Sequence, residues 1–505
     1  MARILFLLSA LGFVSALDQQ VLSGPVVHGQ HKDKPLIDTK SFQKTIKGDN
    51  LLARAKELYE IAKTSQDEWN HPTRVIGSAV GHQATLEWIY STIAKLGDYY
   101  TLSNQSFPVV LGRVNEARLV LENDVSKSMV PFALSPSTPN KQPVFSQLTL
   151  IANDGCEASD FPSETKGSIA FIRRGSCFYS NKSSLAGQAG ALAAVVYNTD
   201  DEQFRGTLSF VDPDHVATVG IALGEAAPII KRLENGDSID AIVYVNAELQ
   251  EIHTTNIVAQ TTAGDPDNCV MLGAHSDSVE AGPGINDDGS GTISLLEIAT
   301  QLTAYNVTNC VRFGWWAGEE EGLLGSEWYA SSLSKEENAK IRMFMDYDMM
   351  ASPNYAYQIY NATNAINPSG SEELRDLYVD WYKDQGLNYS FIPFDGRSDY
   401  VGFLVQGIPS GGIATGAEGI KSKKGEAKFG GKAGDWFDPC YHQLCDDVGN
   451  LNMTAFVVNT QLIAHSVATY ARSLDDYPKR SLEAAADNGQ FGVRDMKYRG
   501  SYLVM

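Results

Sequence analysis

The chain has 505 residues, 43% hydrophobic and 20% charged, enough apolar material for two large folded units and too much for a globally disordered chain. Its 40 basic residues stand against 61 acidic ones, a formal net charge of -21. That balance excludes a nucleic-acid binder, which needs a basic footprint to displace counterions, and an anionic membrane surface as partner.

Arg3 precedes the apolar runs 4–8 and 11–14, and Val14-Ser15-Ala16 offers small residues for cleavage, so residues 1–16 read as a secretory signal peptide. An early core helix fits less well, because polar sequence follows at once. No later run approaches the roughly 18 to 20 apolar residues of a membrane span, so no membrane anchor is expected. Residues 17–44 are polar and read as a propeptide or extended arm. Leu51, Leu52, Ala55, Leu58, Tyr59 and Ala62 recur at helical spacing, and a second helix is expected over 82–96.

Between 107 and 250 the pattern changes to short β-rich runs at 117–121, 169–172, 193–197, 219–223 and 241–245. Turn-rich sequence separates them, and one helix is expected at 183–190. This reads as a separate α+β module. From His253 helix alternates with strand: apolar strands at 269–274, 311–316 and 341–348, and a helix at 292–302. The alternation predicts an α/β fold, a mixed, mostly parallel sheet with helices on both faces and its site at the carboxyl ends of the strands. The segment after about Asp475 is charged and reads as a loose surface arm, with Lys479-Arg480 as a candidate processing point.

The six cysteines fall into three sequence-local couples, Cys156 with Cys177, Cys269 with Cys310 and Cys440 with Cys445. Many pairings are open to six cysteines; neighbours are the expected ones, in an oxidising compartment. Asn-x-Ser/Thr sequons at Asn104, Asn181, Asn306, Asn361, Asn388 and Asn452 fit a glycosylated secretory chain. Secretion is expected, with a vacuole as the alternative, and the chain is expected to be a monomer.

Three Gly-bounded loops carry the chemistry: 273–278 (GAHSDS), 282–291 (GPGINDDGSG) and 318–322 (GEEEG), the last directly after the apolar 311–316 strand. With Asp348 and His442 they offer His275, Asp287, Glu320, Asp348 and His442 as ligands. Zinc takes imidazole nitrogen and carboxylate oxygen, and two histidines with three carboxylates suit two zinc ions sharing one carboxylate. Glu319 is placed to move a proton between water and a leaving amine. Asp277 can accept the second ring N–H of His275 and fix its tautomer. Alone each element is weak: His-x-Asp is commonly incidental, Asp-Asp-Gly is an ordinary turn, and acidic runs are commonly solvated faces. Their order and placement at strand ends make them one signal. Trp315, Trp316, Phe394, Phe403 and Ile408 could wall a side-chain pocket, but ordinary core packing is the better reading for most of them.

The motifs GAHSDS, GPGINDDGSG, WWAGEEEGLLGS, YDMMASPN, GRSDY and DPCYHQLCDD resemble those of the di-zinc aminopeptidases of the aminopeptidase Y and secreted leucine aminopeptidase type, over about 51–112 and 250–475. The resemblance implies that His275, Asp287 and Asp348 hold one zinc and Asp287, Glu320 and His442 the other. It makes Glu319 the catalytic glutamate, Tyr441 an oxyanion partner and Arg397 a residue lining the substrate site. Tyr400 departs from the histidine of many relatives, a difference that bears on substrate preference and not on the metals. The 113–248 insert resembles the protease-associated (PA) domain through Cys156, 167–172, Arg173-Arg174-Gly175, Cys177 and 182–190. The implied function is removal of N-terminal, Leu-like residues from peptides with a free N-terminus, because acidic groups beside the metals favour an ammonium. The rival readings are another exopeptidase on the same scaffold, a carboxypeptidase or dipeptidase, and an inactive binding protein.

Overall fold

Strands buried on both faces need apolar residues at every position, and the uninterrupted apolar runs of the second half form the centre of the sheet accordingly. The computed structural model describes residues 33–480 and 497–505; the expected signal peptide and residues 17–32 of the expected arm lie outside them. Strands Asn309–Trp316, Asp265–His275, Ile341–Tyr347 and Ser410–Ala414 lie side by side in that order, all parallel. Antiparallel strands flank them: Asp240–Thr261 beyond Asn309–Trp316, and Gln358–Tyr360 beyond Ser410–Ala414.

Helices cover both faces. Gly48–Lys63, Gly81–Ala94, Gly289–Leu302 and Met453–Arg472 share one core, where Leu58, Ile89, Leu296 and Ile463 meet Leu272, Phe313 and Trp315. Leu324–Ser332 and Tyr400–Val405 cover the other face, where Tyr329 and Phe403 meet Met271, Trp316 and Phe344. Successive strand residues point to opposite faces, so Trp315 and Trp316 enter different cores. Both are fully buried, as are Phe403 and Ile408, so these four are core residues and not pocket walls.

The insert has its own core, with Phe171, Val195, Val219 and Val243 at its centre. Strands Val144–Leu150, Ile169–Arg173, Ala193–Tyr197 and Thr218–Ile221 run parallel in that order. Two long antiparallel strands, Tyr100–Leu121 and Asp240–Thr261, join it to the peptidase sheet. They pair from Tyr100↔Thr261 to Leu121↔Ala241 with a register shift between Val114 and Glu116. The sequence-based boundaries at 112/113 and 248/249 fall inside these strands: composition changes with the body of the insert, while the connecting ladder is continuous.

Two segments, one read as a propeptide or extended arm and one as a loose surface arm, pack against the body in their described residues. Ile37 and Phe42 are fully buried, the short helix Thr39–Gln43 packs against Met453–Arg472, and Arg472 donates to the Ile37 carbonyl at 2.7 Å. Two apolar side chains in a polar stretch suffice to seat it. At the other end Tyr477 is buried and the Arg480 guanidinium donates to the Ile341 and Gly407 carbonyls at 2.7 and 3.1 Å. Residues 497–505 form a small hairpin, Tyr498–Arg499 against Tyr502–Leu503, with Leu503 and Val504 buried.

The cysteines pair as neighbours: Cys156–Cys177, Cys269–Cys310 and Cys440–Cys445. Asn104, Asn181, Asn361 and Asn388 are exposed. Asn452 instead caps the Met453–Arg472 helix, accepting from the Ala455 N–H at 3.1 Å, and Asn306 donates to the Lys34 carbonyl at 2.7 Å. Among the described residues no helix is long and apolar enough to cross a membrane.

Candidate active site

Each candidate ligand leaves the carboxyl end of a parallel strand or a loop beside it. His275 ends Asp265–His275, Asp348 follows Ile341–Tyr347, and Glu319 and Glu320 follow Asn309–Trp316. Asp287 lies in the loop entering Gly289–Leu302, and His442 in the loop closed by Cys440–Cys445. The structure brings all six together. Asp287 faces both histidines: Oδ1 is 3.2 Å from His275 Nε2 and Oδ2 is 3.1 Å from His442 Nε2. Glu320 Oε2 lies 3.0 Å from His442 Nε2, while Asp348 Oδ1 and Glu319 Oε2 each lie 3.9 Å from His275 Nε2.

This donor set fits zinc. Ligand atoms of His275, Asp287 and Glu320 lie within 4.8 Å of one another. Glu320 Oε1 and Asp348 Oδ1 are buried without a hydrogen-bond partner, which a cation would supply. His275, Asp288 and Asp348 make a second such group, but Asp288 is engaged by backbone. Its Oδ1 accepts from Gly291 and Met349 at 2.9 and 3.0 Å, and its Oδ2 from the His275 N–H at 3.1 Å. Asp288 therefore fixes the fold of the site and Asp287 faces its interior.

The electrostatics express the crowding. Burial pushes the Glu319 carboxyl well above the carboxylate range; His275 opposes this and Glu320 and Asp348 reinforce it. Burial and the Asp287 charge raise Asp348 to about 7. Burial would also raise Asp287, but His275 and His442 hold it well below its ordinary value. Burial would lower His442, yet Glu320 and Asp287 raise it to about 10.

Asp277 has a broader part than orienting His275. Its Oδ1 is 3.6 Å from His275 Nδ1, too long for a hydrogen bond. It accepts instead from the Gly318, Glu319 and Glu320 N–H groups at 2.9, 3.3 and 3.3 Å, and so shapes the turn that presents both glutamates. Tyr441 stacks on His442, with ring centroids 3.7 Å apart. Arg397 binds Glu418 through both terminal nitrogens at 2.7 and 3.0 Å and reaches the Tyr441 hydroxyl at 3.4 Å. The Tyr400 hydroxyl accepts from the Gly396 and Arg397 N–H groups at 2.9 and 3.2 Å, so this tyrosine holds the Arg397 loop.

Several supporting residues were not singled out in the sequence, although Ser398 and Asp446 lie within the motifs GRSDY and DPCYHQLCDD. Arg74 is fully buried and donates to the carbonyls of Pro283 at 2.8 Å, Gly284 at 2.5 Å and Ser276, tying the His275 loop to the Asp287 loop. His82 Nε2 lies 3.0 Å from the Ser276 hydroxyl. Asp446 accepts from the Asn286 and Asp287 N–H groups at 2.9 and 3.1 Å, tying the Asp287 loop to the His442 loop. Ser398 donates to Asp348 Oδ2 at 2.9 Å. Arg74 and His82 are ordinary polar residues in their local sequence; only the fold makes them struts.

An acid-and-imidazole centre at the strand ends of a mostly parallel sheet, with an inserted second domain, defines a metallopeptidase class. Residues 256–467 match peptidase family M28 and residues 143–229 match the PA domain. The chain is similar to aminopeptidase Y of Saccharomyces cerevisiae, 47% identical over 95% of this chain and 89% of that one. It is also similar to leucine aminopeptidase 2 of Trichophyton equinum, 40% identical over 88% of this chain and 89% of that one. The solved aminopeptidase of Aneurinibacillus sp. strain AM-1 superposes with a TM-score of 0.71, at 25% identity over 88% of this chain and all (100%) of that one. The chain belongs to peptidase family M28 and carries an inserted PA domain.

Proposed function

We propose that this chain is a zinc aminopeptidase that binds two zinc ions and removes N-terminal, Leu-like residues from peptides. The carrying observation is Asp287, which turns one oxygen to each of two histidines at 3.2 and 3.1 Å, the arrangement of a carboxylate shared between two cations. His275, Asp287 and Asp348 would hold one zinc, and Asp287, Glu320 and His442 the other. Bound there, the metal pair supplies Lewis acidity for a peptide carbonyl and lowers the pKa of water.

The chain's own side chains do the rest. Glu319, buried in the acidic turn 3.9 Å from His275 Nε2, can as a carboxylate take a proton from water and return it to the leaving amine. The Tyr441 hydroxyl, steadied by Arg397, is the donor toward an oxygen that gains charge. Glu319, Glu320 and Asp348 give a free α-amine acidic partners. Arg397 is already paired with Glu418, which counts against recognition of a C-terminal carboxylate and so against a carboxypeptidase. With every candidate ligand present, an inactive binding protein is disfavoured. All of them come from one chain, as a monomeric enzyme requires. The Leu-like preference follows the leucine aminopeptidase 2 relatives.

The three disulfides and the four exposed sequon asparagines support a secreted or vacuolar glycoprotein made with a signal peptide and a pro-segment, a zymogen. The test is Glu319→Gln beside His442→Ala. Glu319→Gln is expected to lower kcat on aminoacyl substrates on the order of 10³-fold with zinc content unchanged. His442→Ala is expected to lose zinc. Full turnover by Glu319→Gln, or zinc lost from it, would remove Glu319 from this role.

A further inference from the structure

The 497–505 segment lies in the cleft between the insert and the peptidase body and touches both. On the insert it pairs like a strand: the Leu503 N–H donates to the Arg205 carbonyl at 2.8 Å, the Thr207 N–H to the Leu503 carbonyl at 3.0 Å, and the Tyr179 N–H to the Val504 carbonyl at 2.9 Å. The Leu503 side chain enters an apolar pocket with Phe132, Tyr179, Val196, Phe204 and Leu208. Arg174 donates to the Met505 main-chain oxygen at 3.2 Å.

On the peptidase body the Tyr498 N–H donates to the Asp395 carbonyl at 3.1 Å and the Gly500 N–H to the Gly396 carbonyl at 3.0 Å. The Tyr498 ring lies under the Arg397 guanidinium, 5.0 Å from it. Arg499 pairs with Glu327. Gly500, at φ +62°, comes so close that a Cβ there would lie 3.0 Å from the Glu319 carbonyl oxygen and 3.6 Å from its Oε1.

We infer that this cleft is a peptide-binding site whose occupant here is the chain's own 497–505 segment, and that the seated segment competes with peptide substrates for access to Glu319. Recognition through Arg205, Thr207 and Tyr179 backbone groups is strand addition, which tolerates many sequences, while the pocket for Leu503 selects an apolar residue. The ligand class is therefore an extended peptide with an aliphatic side chain at that position. The segment enters the site as a hairpin turn and offers no free amine, so it blocks without being a substrate. The competition rests on the peptidase reading; the binding site does not.

Two full-length, zinc-loaded variants test this. Leu503→Asp puts a charge into the apolar pocket. Gly500→Val drives a branched side chain against the Glu319 carbonyl and leaves the pocket untouched, which keeps the test open if the first variant fails to fold. The probe is a labelled nonapeptide of the sequence 497–505, read by fluorescence anisotropy, beside KM for a leucyl tetrapeptide. Expected are saturable probe binding to the variants and none to the wild type, with KM for the tetrapeptide lowered by roughly threefold or more in the variants. Unaltered KM with no probe binding to either variant overturns the inference. Probe binding by the variants, with no cleavage by the wild type either, supports the cleft and overturns the peptidase reading instead.

Discussion

Two buried sites, one in each half of the molecule, treat charge in opposite ways. In the insert, Lys182 is fully buried, and its ammonium is satisfied by the carbonyls of Asp154 and Gly175, the latter at 2.8 Å. In the peptidase half, buried acids and imidazoles face each other at 3.0–3.9 Å with polar atoms left over. A buried ion that is fully hydrogen-bonded holds a fold together; a crowd of them left short of partners awaits a ligand. The difference sets the crowded acids and imidazoles of the candidate site apart from a structural lysine, independently of any motif.

Removing the metal should break this contrast most. Chelation is expected to abolish turnover and to accelerate amide hydrogen exchange across 275–348 and 440–446 while leaving 144–234 unchanged; added zinc should reverse both. At a free zinc level about 1,000 times its Kd the ion stabilises the site by about 4 kcal/mol. Equal acceleration in the insert would show that the crowding is shared rather than local.

The next effect belongs to His82, which is 3% exposed and not among the candidate ligands. Burial lowers its pKa from 6.5 to about 4, with Asp277 opposing and Arg74 and His275 assisting. Unfolding therefore takes up a proton between those two values. The stability tied to a neutral His82 is complete above pH 6.5 and lost as pH falls toward 4, by about 3 kcal/mol. Thermal midpoints measured across that range should fall steeply for the wild type and more shallowly for His82→Gln; equal slopes would count against this account.

Lys182→Ala sharpens the contrast from the other side. It leaves the Asp154 and Gly175 carbonyls without their donor and should cost about 2 kcal/mol. Exchange should quicken over 150–190, with kcat on a small aminoacyl substrate unchanged. A matching fall in kcat would mean that the lysine supports the site.

The candidate ligands His275, Asp287 and Glu320 were legible because they stand in Gly-bounded loops beside apolar strands, whereas Asp348 and His442 stand in no such loop and were legible through the motifs YDMMASPN and DPCYHQLCDD. The parallel core was legible as unbroken apolar runs such as 311–316. Arg74 and His82 were not legible, because their partners lie far away in sequence and nothing beside them departs from ordinary composition; Asp446 lies in a quoted motif, but its partners Asn286 and Asp287 are some 160 residues away. Asp288 was passed over for Asp287 in its usual turn signature; only its backbone partners separate the two. The packing of residues 33–44 and 497–505 was hidden because their few buried side chains, Ile37, Phe42 and Leu503, sit among polar neighbours. The reach of Tyr100–Leu121 was also hidden, since much of the ladder is exposed on both sides and shows no strict alternation.

That ladder has a mechanical consequence. Twin strands in step along nearly their whole length act as a stiff beam, so the insert cannot swivel freely against the catalytic body. Where the rungs fall out of step, between Val114 and Glu116, the strand bends and twists more strongly, so that single step sets the angle at which the beam leaves the catalytic body.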